Sequence, residues 1–179
     1  MLTAEQIIDH YQLESLDQEG GFFRQIFCSP IRIKNDALVG AKSVEGDHPI
    51  GTVIQFLLTV DSFSAMHRLP TAEHWFHHQG DACEILLLHE NGSQEVQRLG
   101  PDIAQGDLVY AMTPPNAWQG TRVADGGKHG YMFGSCVMIP GFEWSDFELG
   151  DRLDLEVRYP MALDAIRLRT RDVTIKGAL

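Results

Sequence analysis

Cysteine is scarce in this chain. Its three copies, Cys28, Cys83 and Cys136, are odd in number, widely spaced and without a C-x-x-C pair. That excludes a disulfide framework or a structural zinc site as the organising element and fits a reducing, cytoplasmic setting. Basic residues are also few: 14 Lys and Arg stand against 25 Asp and Glu, a formal charge of −11. Nucleic-acid and anionic-membrane surfaces need clustered cations to meet phosphates, so neither partner is expected. Long apolar runs are missing, and the longest, Ile85–Leu88, falls far short of the roughly 20 residues a membrane-spanning helix needs. The opening Met1-Leu2-Thr3-Ala4-Glu5 has neither the basic nor the apolar stretch of a secretion signal. Internal repeats and low-complexity tracts are absent from the pattern.

What is present is an ordinary globular composition, 44% hydrophobic and 22% charged over 179 residues. A chain of this length reads as one domain, residues 1–179, able to bury roughly 70% of its unfolded surface. Thr3, followed three residues later by Gln6, forms a capping box that predicts a helix over about 3–13, with Ile7, Ile8 and Tyr11 on one face. Gly20-Gly21 then feeds a strand through Phe27, and residues 35–51, rich in Gly, Asp and Pro, read as a loop. From 52 onward, short β-patterned runs alternate with turn residues: 52–60, 63–69, 73–78, 83–89, 93–99, 108–112, 118–123 and 131–139. Asn91-Gly92 predicts a type I′ hairpin turn. Helical patterning returns at 151–158 and 160–169, Pro160 suiting a first turn. The expectation is all-β: a barrel over about 19–139, with a short helix before it and a helical tail over about 145–170 packed outside.

Within the barrel, strand alternation puts Glu73, Trp75 and His77 on one face and His74, Phe76 and His78 on the other, while His67 and Leu69 share a face. An imidazole and a carboxylate can thus meet at the barrel mouth. The order is His67, Leu69, three residues, Glu73, six residues, Gly80; later Gly106 leads to Pro114-Pro115-Asn116-Ala117-Trp118-Gln119. The first spacing resembles the first cupin motif; the second element resembles the second motif, with seven residues between Gly106 and Pro114 where five are usual. Leu69 and Gln119 stand where histidine ligands are usual, and Asn116, which tolerates a left-handed backbone, where glycine is usual. Glu19-Gly20-Gly21-Phe22-Phe23-Arg24, Phe63–Arg68, Glu73–Phe76 and Pro140–Glu148 extend the likeness. The chain resembles the RmlC-like cupin superfamily, and more narrowly its cupin family five branch. The resemblance implies a jelly roll, commonly a homodimer, with no established reaction.

For chemistry, His67 and Glu73 are the candidate catalytic pair: a near-neutral imidazole oriented by a carboxylate suits proton abstraction. The plainer alternative is a hydrogen-bonded pair lining a wet pocket. No cofactor is expected; a divalent metal at His67, Glu73 and Gln119 is the lesser alternative, because that set falls short of the two-histidine, one-carboxylate minimum. Arg24 is a candidate for gripping a ligand anion, or else a salt bridge to Glu19 or Asp146. Glu19, with its Gly-Gly turn, and Gln119 complete the polar candidates. Trp75, Trp118, Tyr131 and Phe133 are candidates for an aromatic wall, with His77 on the same face as Trp75; core packing is the alternative. The functional expectation is a small-molecule-binding cupin. The alternative is a metal-free or weakly metal-dependent epimerase or isomerase acting on a carbohydrate-like substrate, with His67 as base.

Overall fold

The capping box forms as the sequence requires. In the computed structural model, which describes residues 1–34 and 46–171, the Thr3 hydroxyl accepts from Gln6 N–H and the Gln6 side chain accepts from Thr3 N–H. These bonds start helix α1 (Ala4–Tyr11), which ends at Gln12 in the left-handed conformation. Most of the stretch expected as a loop, residues 35–45, lies outside the described residues.

The strands make two facing sheets. The larger contains β1 (Glu14–Ser15), β2 (Phe22–Cys28), β5 (Thr52–Thr59), β7 (Glu73–Gly80), β10 (Tyr110–Thr113) and β12 (Tyr131–Met138), in the order β1-β2-β5-β12-β7-β10. The smaller contains β6 (Phe63–Arg68), β8 (Cys83–Leu88), β9 (Gln94–Leu99), β11 (Trp118–Val123) and β13 (Glu148–Leu149), in the order β13-β6-β11-β8-β9. A small hairpin joins β3 (Arg32–Ile33) to β4 (His48–Pro49), so the end of the expected loop is in fact paired backbone. The jelly roll is therefore a sandwich of two sheets rather than one closed ladder.

Alternation explains how the chain builds three apolar layers from this plan. Phe56 and Leu58 of β5, Trp75 of β7 and Ile85 and Leu87 of β8 point between the sheets. Leu57, Tyr131 and Phe133 point outward under Ile7 and Leu13 of the N-terminal segment. Leu86 and Leu88 point outward on the smaller sheet, under α2 (Arg152–Arg158) and α3 (Leu163–Arg167). The unbroken run Ile85–Leu88 is thus a strand covered on both faces, each fully buried side chain contributing about 1.5–3 kcal/mol. Gly120 makes room for the C-terminal segment: a Cβ there would stand 2.5 Å from Met66 Sδ and 3.1 Å from Arg169 Cβ.

The β8–β9 turn departs from the type I′ expectation. Gly92 alone takes a positive φ, 85°, and donates its N–H to His89 O, while the Asn91 side chain accepts from Ser93 N–H. The three-residue loop that results has glycine in the left-handed position. Asn116 does take the left-handed backbone, with φ of 63°. Among the described residues no helix is long and apolar enough to cross a membrane.

Candidate functional site

Between the sheets lies a cavity of about 460 Å³. Leu16, Phe23, Ile54, Leu69 and Met138 form its apolar wall, Phe142 and Trp144 stand over it, and His67, Glu73, Glu19 and Cys136 supply polar atoms. Glu73 is the first residue of β7, and Cys136 and Ile54 lie on the inner face of neighbouring strands. His67 comes from the opposite sheet. The β6–β11 register shifts between Gln119 and Thr121, a bulge that sets three steps of β6, Ser64 to His67, against two of β11. In an unbroken strand Ser64 and His67 would face opposite ways; the bulge turns both inward.

Four buried side chains make the floor. Thr113 Oγ1 donates to Gln119 Oε1 at 2.6 Å, which leaves the amide NH2 with two acceptors: Glu73 Oε2 at 2.7 Å and His67 Nε2 at 3.1 Å. His67 Nδ1 lies 2.7 Å from Ala65 O, so Nδ1 carries the proton and Nε2 accepts. The imidazole is neutral in this arrangement. Burial pushes its pKa below the ordinary histidine value, against the opposite pull of Glu73 and the Ala65 carbonyl. Phe147 stacks on the ring, with centroids 5.1 Å apart and planes 22° from parallel.

The two carboxyls have the opposite bias. Burial raises Glu73, the nearby Glu19 raises it further, and His67, Gln119 and Cys136 pull it back. Glu19 accepts from Ser64 Oγ at 2.5 Å and is pushed by burial up to about 7. Burial first, then the charges of Glu73 and Glu19, hold the Cys136 thiol well above its usual range, so it is an inert thiol here.

The segment over the cavity is tied down at several points. Phe142 N–H donates to Thr52 Oγ1 at 3.0 Å, and Gly141 N–H to Pro49 O at 2.8 Å. His48 Nε2 meets Asp146 Oδ2 at 2.6 Å in a fully buried contact, and Arg68 grips Glu148 through Nε and Nη2 at 2.6 and 3.0 Å. Leu149 then pairs with His67 across β13 and β6.

A metal does not fit this floor. His67 and Glu73 offer two donors, and the Gln119 oxygen that would be a third is turned to Thr113, with the NH2 group directed at both would-be ligands instead. An NH2 cannot ligate, and two side chains fall short of the three a transition metal needs. Among the described residues no group of three or more His, Cys, Asp or Glu side chains is arranged for a metal.

Several sequence candidates lie elsewhere. Arg24 reaches the cavity rim, but its guanidinium donates to Tyr11 O at 3.0 Å and Gln12 Oε1 at 2.6 Å, closing the C-terminus of α1. Asp146, one expected partner of Arg24, is bound to His48, and Glu19, the other, to Ser64. Trp75 does point inward, yet it packs edge-on against Phe56 in the core, two positions beyond the cavity. His77 lies farther along the same strand and contacts Asp81 O at 3.1 Å. Tyr131 and Phe133 face the other way: the Tyr131 hydroxyl donates to Leu2 O, and Phe133 stacks on Tyr11 under α1. The aromatic wall is made instead by Phe23, Phe142 and Trp144. In the Glu19-Gly20-Gly21 turn the Gly20 amide is not open to a ligand: its N–H donates to Leu16 O, and a Cβ on Gly20 would lie 2.2 Å from Phe63 O.

Other members escape sequence reading. Thr113, Ser64, Phe147 and His48 carry no local signal, because each acquires its role from a partner distant in sequence or from a bulge. Only Thr113, six residues before Gln119 across the Pro114-Pro115 turn, lay close enough to be suspected.

Comparison with known proteins bears on the fold and the family. A hypothetical protein from Leishmania major has a similar structure, with a TM-score of 0.83 and 27% identity over 96% of this chain and 100% of its own. A protein from Shewanella oneidensis matches with a TM-score of 0.81 and 27% identity, over 96% and 99%. A cupin 2 domain-containing protein from Halorhodospira halophila shares the fold at 15% identity and a TM-score of 0.53, over 86% and 84%. Among curated proteins none matches. The profile of the Cupin superfamily (DUF985) matches residues 5–150, and the chain belongs to that family.

Proposed function

We propose that this protein is a small-molecule-binding cupin whose ligand enters the cavity between the sheets. One observation carries the reading: a cavity of about 460 Å³, within the 300–1,000 Å³ range of ligand sites, has an apolar wall and a few converging polar groups at its floor. His67, Glu73 and Gln119 form one hydrogen-bonded unit, which makes the floor rigid and leaves ligand contact to the carboxyl edges of Glu73 and Glu19. The chain acts in the cytoplasm, consistent with three free cysteines, and pairs as a homodimer. The test is ligand-observed NMR with a fragment library on wild-type protein and on Ile54→Phe and Leu69→Phe, which fill the cavity. Binding that both folded variants lose supports the proposal; binding unchanged in both refutes it.

A second reading, proton transfer as in an isomerase or epimerase, is favoured by the Glu19 carboxyl, pushed up to about 7 and so able to give and take a proton near neutral pH. In that reading Glu19 replaces His67 as base, because both His67 nitrogens are already engaged. An enzyme of this kind loses turnover on Glu19→Gln while retaining affinity.

A further inference from the structure

We infer that the cavity selects an organic cation, a primary or secondary ammonium on an apolar body; this rests on the cavity being the ligand site, as proposed above. The cavity supplies the site, and the charge inventory of its wall supplies the selectivity. Among the described residues Glu14, Glu19 and Glu73 line it, against a single arginine and no lysine. That arginine, Arg24, is committed to the α1 carbonyl and to Gln12. The imidazole of His67 is held neutral by its tautomer. Among the described lining residues no cationic side chain is left to meet a ligand carboxylate or phosphate.

The carboxyls are placed for the opposite charge. Glu19 has Oε1 held by Ser64, and among the described residues its Oε2 has no protein partner; Glu73 has Oε2 held by Gln119. Burial raises both carboxyls and Glu19 raises Glu73 further, so the floor keeps a proton that a bound ammonium would displace. Phe23, Phe142 and Trp144 offer ring faces and edges suited to the apolar body and to a cation passing the mouth. An anionic ligand would bury its charge beside two carboxyls with no counter-ion among the described lining residues, which disfavours sugar phosphates and nucleotide sugars.

The experiment uses matched sets on one apolar body: cyclohexylamine, cyclohexanol and cyclohexanecarboxylate, and benzylamine, benzyl alcohol and benzoate. Affinity is read by ligand-observed NMR with EDTA present, on wild-type protein and Glu19→Gln. The amines are expected to bind at least tenfold tighter than the alcohols, the carboxylates not to bind, and Glu19→Gln to lose the preference. On wild-type protein alone, amine affinity is expected to fall about tenfold from pH 8 to pH 6, as Glu19 takes up its proton near 7. Alcohols or carboxylates binding as tightly as amines, or amine affinity flat with pH, overturns the cation inference while leaving the cavity a binding site. Failure of every compound to bind at about 10 mM overturns both readings.

Discussion

Replacing Gln119 by leucine removes the one group that joins His67, Glu73 and Thr113. The amide makes three hydrogen bonds, at 2.6, 2.7 and 3.1 Å, and Gln119 is buried to 1% exposure. The bond to a carboxylate is worth about 1.5–3 kcal/mol, and a buried imidazole nitrogen left without a donor costs about 1–3 kcal/mol. Thr113 Oγ1 can turn to another acceptor and adds little. Because His67 and Glu73 also line the cavity, water can restore part of both losses, which brings the sum to about 2–4 kcal/mol. With a urea slope of about 2 kcal/mol/M, the unfolding midpoint falls by about 1–2 M. Thr113→Val, which removes only the outermost bond, costs about 1 kcal/mol. A Gln119→Leu loss below about 1 kcal/mol, or one equal to that of Thr113→Val, would refute the bridged floor.

Glu19→Gln tests the buried carboxyl through pH. The folded-state pKa is raised to about 7 from 4.5, so the folded protein holds a proton the unfolded chain releases, and stability is full below about 4.5 and lost as pH rises through 7. The substitution is expected to stabilise the protein by about 2 kcal/mol at pH 8 and to be near neutral at pH 4.5 in denaturant titrations; equal effects at both pH values contradict it. His67, with its pKa lowered by burial, gives the reverse slope: its contribution is full above about 6.5 and declines as pH falls below that value. Its ring resonances in NMR are expected to stay those of the neutral Nδ1–H tautomer at pH 6.5, and a half-protonated signal there contradicts the assigned hydrogen bonds. For the homodimer, the open edge strand β10 exposes Tyr110 and Met112 beside Phe76. Sedimentation is expected to show a dimer that Tyr110→Lys weakens at least tenfold, and a stable wild-type monomer at micromolar concentration removes that expectation.

The strands from Thr52 to Met138 were legible because each has β-patterned residues bounded by Gly, Pro, Asn or Asp, and the tail helices because Asp151 and Pro160 punctuate them. The short pieces β1, β3, β4 and β13 were not, since two residues hold no period. At the site, alternation brings His67 and Glu73 together, and the resemblance to the second cupin motif adds Gln119. Ser64 could not, because alternation places it opposite His67 and only the bulge reverses that. Tyr131 and Phe133 failed for a related reason: strand β12 is apolar on both faces, and composition does not say which face holds the cavity and which holds α1. Alternation places Trp75 on the inner face, but how far a cavity extends along a strand depends on which side chains fill it. For Arg24 the sequence offers a ligand anion or a salt bridge to Glu19 or Asp146, and its actual partners, a helix carbonyl and the Gln12 amide, are ones no pattern of charged residues reveals.

The Gln119 amide stands between His67 and Glu73, where a metal would otherwise have its ligands. The direct test is metal content per chain by elemental mass spectrometry on tag-free wild-type protein, beside His67→Ala and Gln119→His. Background metal in the first two, with bound zinc or nickel only in Gln119→His, where two imidazoles and Glu73 would complete a ligand set, is the predicted result. Near-stoichiometric metal in the wild type that disappears in His67→Ala would contradict it.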